Sequence, residues 1–233
     1  MVKNLDVVKD NKDKKLTVTI PLNGILTEGI LRVPHNPRGI VLFAHGSGSS
    51  RLSPRNTLVA SVLRQARVAS LLFDLLTEEE DSIYENRFNI ELLTERLIQT
   101  TQWVRRQPGI KNLKLGYFGA STGAAAALKA AARTGSDIRA IVSRGGRPDL
   151  AMDEIENVNS ATLLIVGEND PQVLGLNQQA YQILNTTKKI EIIAGATHLF
   201  EEPGTLQKTA ELASDWFKKY LSRNFKESYR KYT

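Results

Sequence analysis

The sequence predicts an α/β fold: one domain on a mostly parallel, twisted sheet of about eight strands, entered through an antiparallel N-terminal hairpin, with helices on both faces. Three observations lead there. From residue 39 onward, short apolar runs alternate with helical segments, the pattern of repeated strand–helix–strand units. The runs are nearly continuous in hydrophobicity, as parallel strands buried on both faces must be. Two β-rich stretches precede them with no helix between.

Those stretches, "KLTVTI" and "GILTEGILRVP", are separated by "PLN" and read as the hairpin. The next strand candidates are "GIVLFAHG" (39 to 46), "VASLLFDLL" (68 to 76), "LKLGYFGA" (113 to 120), "IRAIVSRGG" (138 to 146), "ATLLIVGE" (161 to 168) and "KKIEIIAGA" (188 to 196). Between them, Ser53 followed by Pro54 marks an N-cap with proline at the first helical position, opening "PRNTLVASVLRQA". Ile90, Leu93, Leu97 and Val104 form one face of a second helix, and Leu206, Ala210, Ala213, Phe217 and Tyr220 that of the last. The acidic run "TEEED" (77 to 81) reads as a solvated loop. Residues 147 to 160 are too few for a large lid, so an open, shallow site is expected. No linker divides the chain: 1–233 is read as one domain, with 1–14 a flexible N-terminal segment and 222–233 a basic C-terminal tail.

With 41% hydrophobic and 24% charged residues, the chain has a globular composition, and no apolar run approaches the roughly 20 residues of a membrane span. No membrane association is expected. The N-terminal "MVKNLDVVKDNKDKK" lacks the apolar core of a secretory signal, which makes the cytoplasm the expected location. Absence of cysteine excludes disulfides, thiolate metal sites and a cysteine nucleophile. Much of the net charge of +6 lies in "FKKYLSRNFKESYRKYT", with no nucleic-acid-binding motif, so a nucleic-acid partner is not expected.

The chemistry centres on Gly119-Ala120-Ser121-Thr122-Gly123, a G-x-S-x-G pentapeptide. A buried strand ends at it and an alanine-rich helix begins after it, the strand-to-helix turn that a nucleophile elbow needs. Glycines two residues either side of Ser121 let strand and helix approach closely, and the N–H of Thr122 at the helix start suits an oxyanion. A serine hydroxyl needs a base, and the base needs an orienting acid. Of the three histidines, His35 lies in a "PHNP" turn and His45 in "HGSGSS", where it would position the loop; His198, beyond the last strand, is the candidate base. Asp170 in "VGENDPQV" is the candidate acid, with Glu168 and then Asp74 as rivals. A second oxyanion donor is assigned to the N–H of Ser47 in the glycine-rich turn "AHGSGSS". Arg51 and Arg55 follow that turn and Arg144 and Arg147 follow the strand after the elbow, so four guanidiniums can converge on one sheet edge and favour an anionic substrate. The alternative is that they pair with Asp74, Asp149 or the acidic run.

With these pieces placed, the chain resembles the α/β-hydrolase superfamily over nearly its whole length and, in size and motifs, its dienelactone-hydrolase-like group. The order serine, acid, histidine is that of the superfamily. The resemblance implies Ser121 as nucleophile, Asp170 as acid and His198 as base. The stretches "HGSGSSRLSPRN", "LLFDLLTEEE", "SRGGRPDLA" and "GATHLFEEPGTL" are similar to a branch some of whose members are joined to a phosphoribosyltransferase domain; no such domain is expected in these residues. Dienelactone hydrolases proper use a cysteine nucleophile, and serine stands at the elbow here, which favours general serine-hydrolase chemistry. The expected activity is cleavage of a small ester, lactone or thioester through an acyl-enzyme, with no cofactor or metal, by a monomer or homodimer. The alternative is a catalytically silent module of the same fold that binds a small acid.

Overall fold

The computed structural model describes residues 13–222. Residues 1–12 and 223–233, most of the expected flexible segment and basic tail, lie outside them. Asp13 and Lys14, expected in the flexible segment, are part of the fold: Lys14 opens the first strand, and the Asp13 carboxylate accepts from the His35 backbone N–H at 3.0 Å and the Arg64 guanidinium at 2.6 Å.

The hairpin pairs β1 (Lys14–Leu22) with β2 (Ile25–Val33). Its turn is Asn23-Gly24 rather than "PLN"; both residues have positive φ, 39° and 93°, as a two-residue primed turn requires. Pro21 therefore lies within β1, where an edge strand tolerates it. β2 runs antiparallel to β4 (Ala69–Phe73), and β4, β3 (Ile40–Ala44), β5 (Leu115–Ala120), β6 (Ile138–Arg144), β7 (Ala161–Gly167) and β8 (Lys188–Ile193) are mutually parallel. The order across the sheet is β1-β2-β4-β3-β5-β6-β7-β8.

Every residue of β3, β4, β5 and β7 is buried, and their side chains alternate between two cores. Val41, Phe43 and Phe118 pack with α1 (Pro54–Gln65) and α6 (Thr205–Leu221) on one face. Leu42 and Tyr117 pack with α3 (Ile90–Arg106) and α4 (Thr122–Thr134) on the other, where Ala180 of α5 (Pro171–Ile183) also lies. β8 is an edge strand with only Ile193 buried, so its apolar run is not buried on both faces.

The expected N-cap holds: Ser53 Oγ accepts from the Asn56 N–H at 3.3 Å. The acidic run is not a solvated loop but the short helix α2 (Glu78–Ser82). Thr77 and Glu80 close a capping box, each side chain accepting the other's N–H at 3.1 and 3.0 Å, and Glu80 also takes the Arg96 guanidinium at 2.6 Å. Between β6 and β7 stand only short 3₁₀ turns, Pro148–Ala151 and Ile155–Asn157, so that connection inserts no lid helix. Among the described residues no helix is long and apolar enough to cross a membrane.

Candidate active site

At the carboxyl edge, β5 turns into α4 through Ser121, whose φ of 51° and ψ of −121° fall where a side chain is strained. The surroundings over-determine this turn. The Ser121 N–H donates to the Arg144 carbonyl at 3.2 Å, and its own carbonyl accepts from Ala124 at 3.0 Å and Arg147 at 3.2 Å. A Cβ on Gly119 would stand 2.4 Å from the Ala124 Cα, and one on Gly123 2.2 Å from the Ala44 carbonyl, so neither glycine can be replaced without moving backbone. Ala124 to Ala127 are fully buried, which lets α4 lie close on the sheet.

The loops after β7 and β8 bring Asp170 and His198 together, with His198 Nδ1 2.7 Å from Asp170 Oδ2. A carboxylate can only accept, so Nδ1 carries the proton and the Nε2 lone pair is left for another partner. His198 and Ser121 line one cleft of about 190 Å³ with Ser47, Arg55, Asn56 and Arg144. Ser121 Oγ itself makes no hydrogen bond among the described residues, and such contacts commonly tighten only when substrate binds.

The glycine-rich turn packs against the elbow: a Cβ on Gly46 would come within 3.2 Å of the Ser121 Cβ. His45 is buried, and its Nε2 accepts the Leu75 N–H at 3.1 Å. Its Nδ1–H therefore donates to the Gly46 carbonyl, 3.0 Å away. Burial pushes its pKa down and keeps it neutral. Because a trans peptide points its C=O and N–H oppositely, fixing the Gly46 carbonyl turns the Ser47 N–H toward the elbow, where it donates to Thr122 Oγ1 at 3.1 Å.

The four arginines separate. Arg51 does not line the cleft: its guanidinium is bound by Asp74 and Glu28, and its N–H donates to Asp74 at 2.7 Å. Arg147 also stays outside, forked onto Asp149 at 2.9 and 2.7 Å. Arg55 borders the cleft, with Nη1 on Glu201 at 3.1 Å. Arg144 borders it too, only 7% exposed, with no carboxylate partner and its Nε and Nη1 unbonded among the described residues. Its guanidinium lies over the Phe200 ring, 5.9 Å from the centroid. Burial first, and the neighbouring Arg55 second, push its pKa down to about 10.

The rival acids are engaged elsewhere: Glu168 accepts the Gly195 N–H at 2.8 Å, and Asp74 holds Arg51. His35 is exposed, away from the cleft. No cluster of three or more metal-ligating side chains occurs among the described residues. Two site residues escape sequence reading. Asn56 is 2% exposed in the first turn of α1, with an unbonded Oδ1, and Phe200 holds a φ of 57° under Arg144. The Ser53-Pro54 helix start placed Asn56 in a first turn, but nothing in the sequence marked it as facing the cleft.

A family model for the dienelactone hydrolase family matches residues 64–226. The crystal structure of dienelactone hydrolase from Anabaena variabilis is similar at 50% identity and a TM-score of 0.87, over 90% of this chain and 99% of that one. Est1E from Butyrivibrio proteoclasticus shares the fold, at 14% identity and a TM-score of 0.75 over 86% of this chain and 97% of its own. Two curated proteins from strains of Mycobacterium tuberculosis, each named "Putative phosphoribosyl transferase", are 52% identical over 217 residues. That match covers 93% of this chain and 49% of theirs, so the chain spans about half the length of those relatives.

Proposed function

The chain belongs to the dienelactone hydrolase family, and from that premise we propose that it is a serine hydrolase of small, soluble esters, lactones or thioesters. The observation that carries the reading is the pairing of His198 with Asp170 at 2.7 Å in the cleft that also holds Ser121 on its strained turn. In the proposed reaction His198 Nε2 takes the Ser121 proton as Oγ attacks the substrate carbonyl. The oxyanion that forms is held by the N–H groups of Ser47 and Thr122, the former leaving Thr122 Oγ1 to reach it. The imidazolium, stabilised by Asp170, protonates the leaving oxygen or sulfur as the bond to the acyl carbon breaks. Water then enters, His198 takes its proton, the hydroxide adds to the acyl carbon, and Ser121 leaves with its proton restored. No cofactor or metal takes part, and the cytoplasm is the proposed location.

Preference for an anionic substrate belongs to the same proposal, resting on Arg144 and Arg55 rather than on Arg51 and Arg147. The phosphoribosyl transferase in the relatives' name is said of proteins about twice as long, and transfer of a phosphoribosyl group is no part of it. The test is a library of small esters, thioesters and lactones turned over by wild type and by Ser121→Ala in parallel. Hydrolysis by wild type alone supports the proposal. Undiminished turnover by Ser121→Ala ends it, and binding of small acids with no turnover by either favours a silent binding module.

A further inference from the structure

The sheet ends differently on its two sides. β1 closes one side and carries Pro21, a residue that discourages the addition of a further strand. β8 closes the other side without a proline, and its register with β7 is unbroken from Thr162↔Lys188 to Gly167↔Ile193. Its lysines do not guard this edge. Lys188 Nζ donates to the Leu184 carbonyl at 2.7 Å and lies 4.8 Å from the centre of the Tyr181 ring, and Lys189 is paired with Glu191 on its own strand. Ile192 stands 47% exposed beside them.

Which backbone groups face outward follows from the bonds already made. The Thr187 carbonyl accepts from the Thr162 N–H at 2.8 Å and the Ile193 carbonyl from the Glu168 N–H at 3.0 Å, so the odd-numbered residues turn their polar groups toward β7. Lys188, Ile190 and Ile192 turn theirs away from the sheet, where no strand among the described residues meets them. Side chains alternate as well: Ile193 packs in the core under α6 and Ile190 against the other core, so Lys189 and Glu191 share the α6 face. A further strand must bond the even-numbered residues. For a second copy of β8 in a two-fold pair, which is antiparallel, three registers do this over most of the strand. Centred on Lys189 or on Glu191, the pair sets like charges opposite each other. Centred on Ile190, it bonds Lys188 to the partner's Ile192 and sets Lys189 against the partner's Glu191, opposite charges in the closer, non-hydrogen-bonded positions.

We propose that β8 is a self-association edge: two copies of this chain pair antiparallel about Ile190 and join their eight-stranded sheets into one. Roughly six backbone hydrogen bonds form, and the two crossed Lys189–Glu191 pairs fix the register. The two-fold axis stands perpendicular to the sheet, so both α6 helices lie on one face and the two carboxyl edges, with their clefts, point in opposite directions. The groove of about 490 Å³ between β8 and the start of α6, bordered by Glu191, Lys208 and Leu212, runs along the joint. The proposal is independent of the serine-hydrolase reading.

Sedimentation velocity on the full chain tests it. Wild type is expected to pass from monomer to dimer with a Kd on the order of 1–100 μM, the range of a small, reversible interface. Ile190→Pro removes an outward N–H and no bond to β7, and should stay monomeric. Lys189→Glu and Glu191→Lys each set like charges face to face and should weaken the dimer at least about tenfold. An equimolar mixture of those two variants, and the double variant Lys189→Glu/Glu191→Lys, should recover it. These exposed or half-buried side chains carry the test if Ile190→Pro fails to fold. Because the chain has no cysteine, crosslinking reads the register directly. Ile190→Cys meets its own copy at roughly 5.5 Å between Cα atoms and should oxidise readily to a disulfide dimer. Ile192→Cys, at the more exposed position, has its copy about four residues further along the pair and should link far more slowly. A monomer throughout, with the edge open or taken by a segment outside residues 13–222, overturns the proposal. So does a dimer that the charge reversals leave unchanged, or equal crosslinking at the two positions.

Discussion

Arg133, near the end of α4, and Arg144, at the end of β6, put the same side chain to opposite uses. Arg133 is bonded to Glu91 at 2.7 Å and to Glu154 at 2.6 and 2.8 Å, with Glu95 at 3.3 Å. Lys129 joins the cluster through Asp153 at 2.7 Å and Glu154 at 3.2 Å. Hydrogen bonds donated to Glu154 and Glu91 raise the Arg133 pKa, and those from Arg133, with Lys129 behind it, hold the Glu154 carboxyl down at about 2. Arg144 has no such partner among the described residues, and its pKa is pushed down instead of up. Saturation with carboxylates marks a charge that ties α3, α4 and the turn before β7 together. The buried charge left unsaturated in the cleft with Ser121 and His198 is the one on which the proposed preference for anionic substrates rests.

The largest effect that can break this contrast is on activity. Ser121→Ala is expected to lower ester kcat/KM by at least about a thousandfold, and Asp170→Asn by a comparable factor. Arg133→Ala should stay within about twofold of wild type in the same initial-rate assay. A large loss of activity on removing Arg133 would erase the distinction between the two regions.

Stability should move in opposite directions. Arg144→Met removes a desolvated, unpaired charge and is expected to stabilise the fold by about 1–2 kcal/mol, at the expense of activity on anionic esters. Arg133→Ala leaves its glutamates facing one another and should cost about 1–2 kcal/mol. At this chain length each kcal/mol corresponds to a melting-temperature shift of about 2–4 °C, so calorimetry resolves both signs. Destabilisation by Arg144→Met would mean that the guanidinium supports the fold.

The smallest effect is in the acid limb. Because the folded-state pKa of Glu154 is depressed from 4.5 to about 2, its contribution is fully present above about pH 4.5 and is lost as pH falls toward 2. Denaturant titrations across that window should show wild type losing stability more steeply than Glu154→Gln, whereas Arg144→Met should keep the wild-type slope. Parallel curves for wild type and Glu154→Gln would show that the cluster contributes little.

How much of this was legible in the sequence follows from the range of the interactions. β3, β4, β5 and β7 were legible because burial on both faces leaves an apolar run, and β8 was overread because an edge strand can look similar. The capping box at Thr77 and Glu80 and the Asn23-Gly24 turn are local patterns present in the chain, overlaid by the broader acidic run and by the proline of "PLN". Asp170 and His198 could be placed at neighbouring strand ends because parallel topology puts all such ends on one edge; their catalytic roles belong to the proposal. Which arginines are neutralised was not legible. Arg51 finds Glu28 within β2 and Asp74 just past β4, and Arg55 reaches Glu201 across 146 residues, so only the folded chain shows who pairs with whom. Asn56 was hidden for the same reason: a residue in a first helical turn says nothing of what lies opposite it.

The central claim is that Ser121 is an activated nucleophile, and covalent labelling tests it most directly. Wild-type protein is treated with a fluorophosphonate, digested and mapped by mass spectrometry. A single adduct on the peptide containing Ser121, formed far more slowly in His198→Ala, is the predicted result. No adduct, or one on another serine while Ser121 stays free, would contradict it.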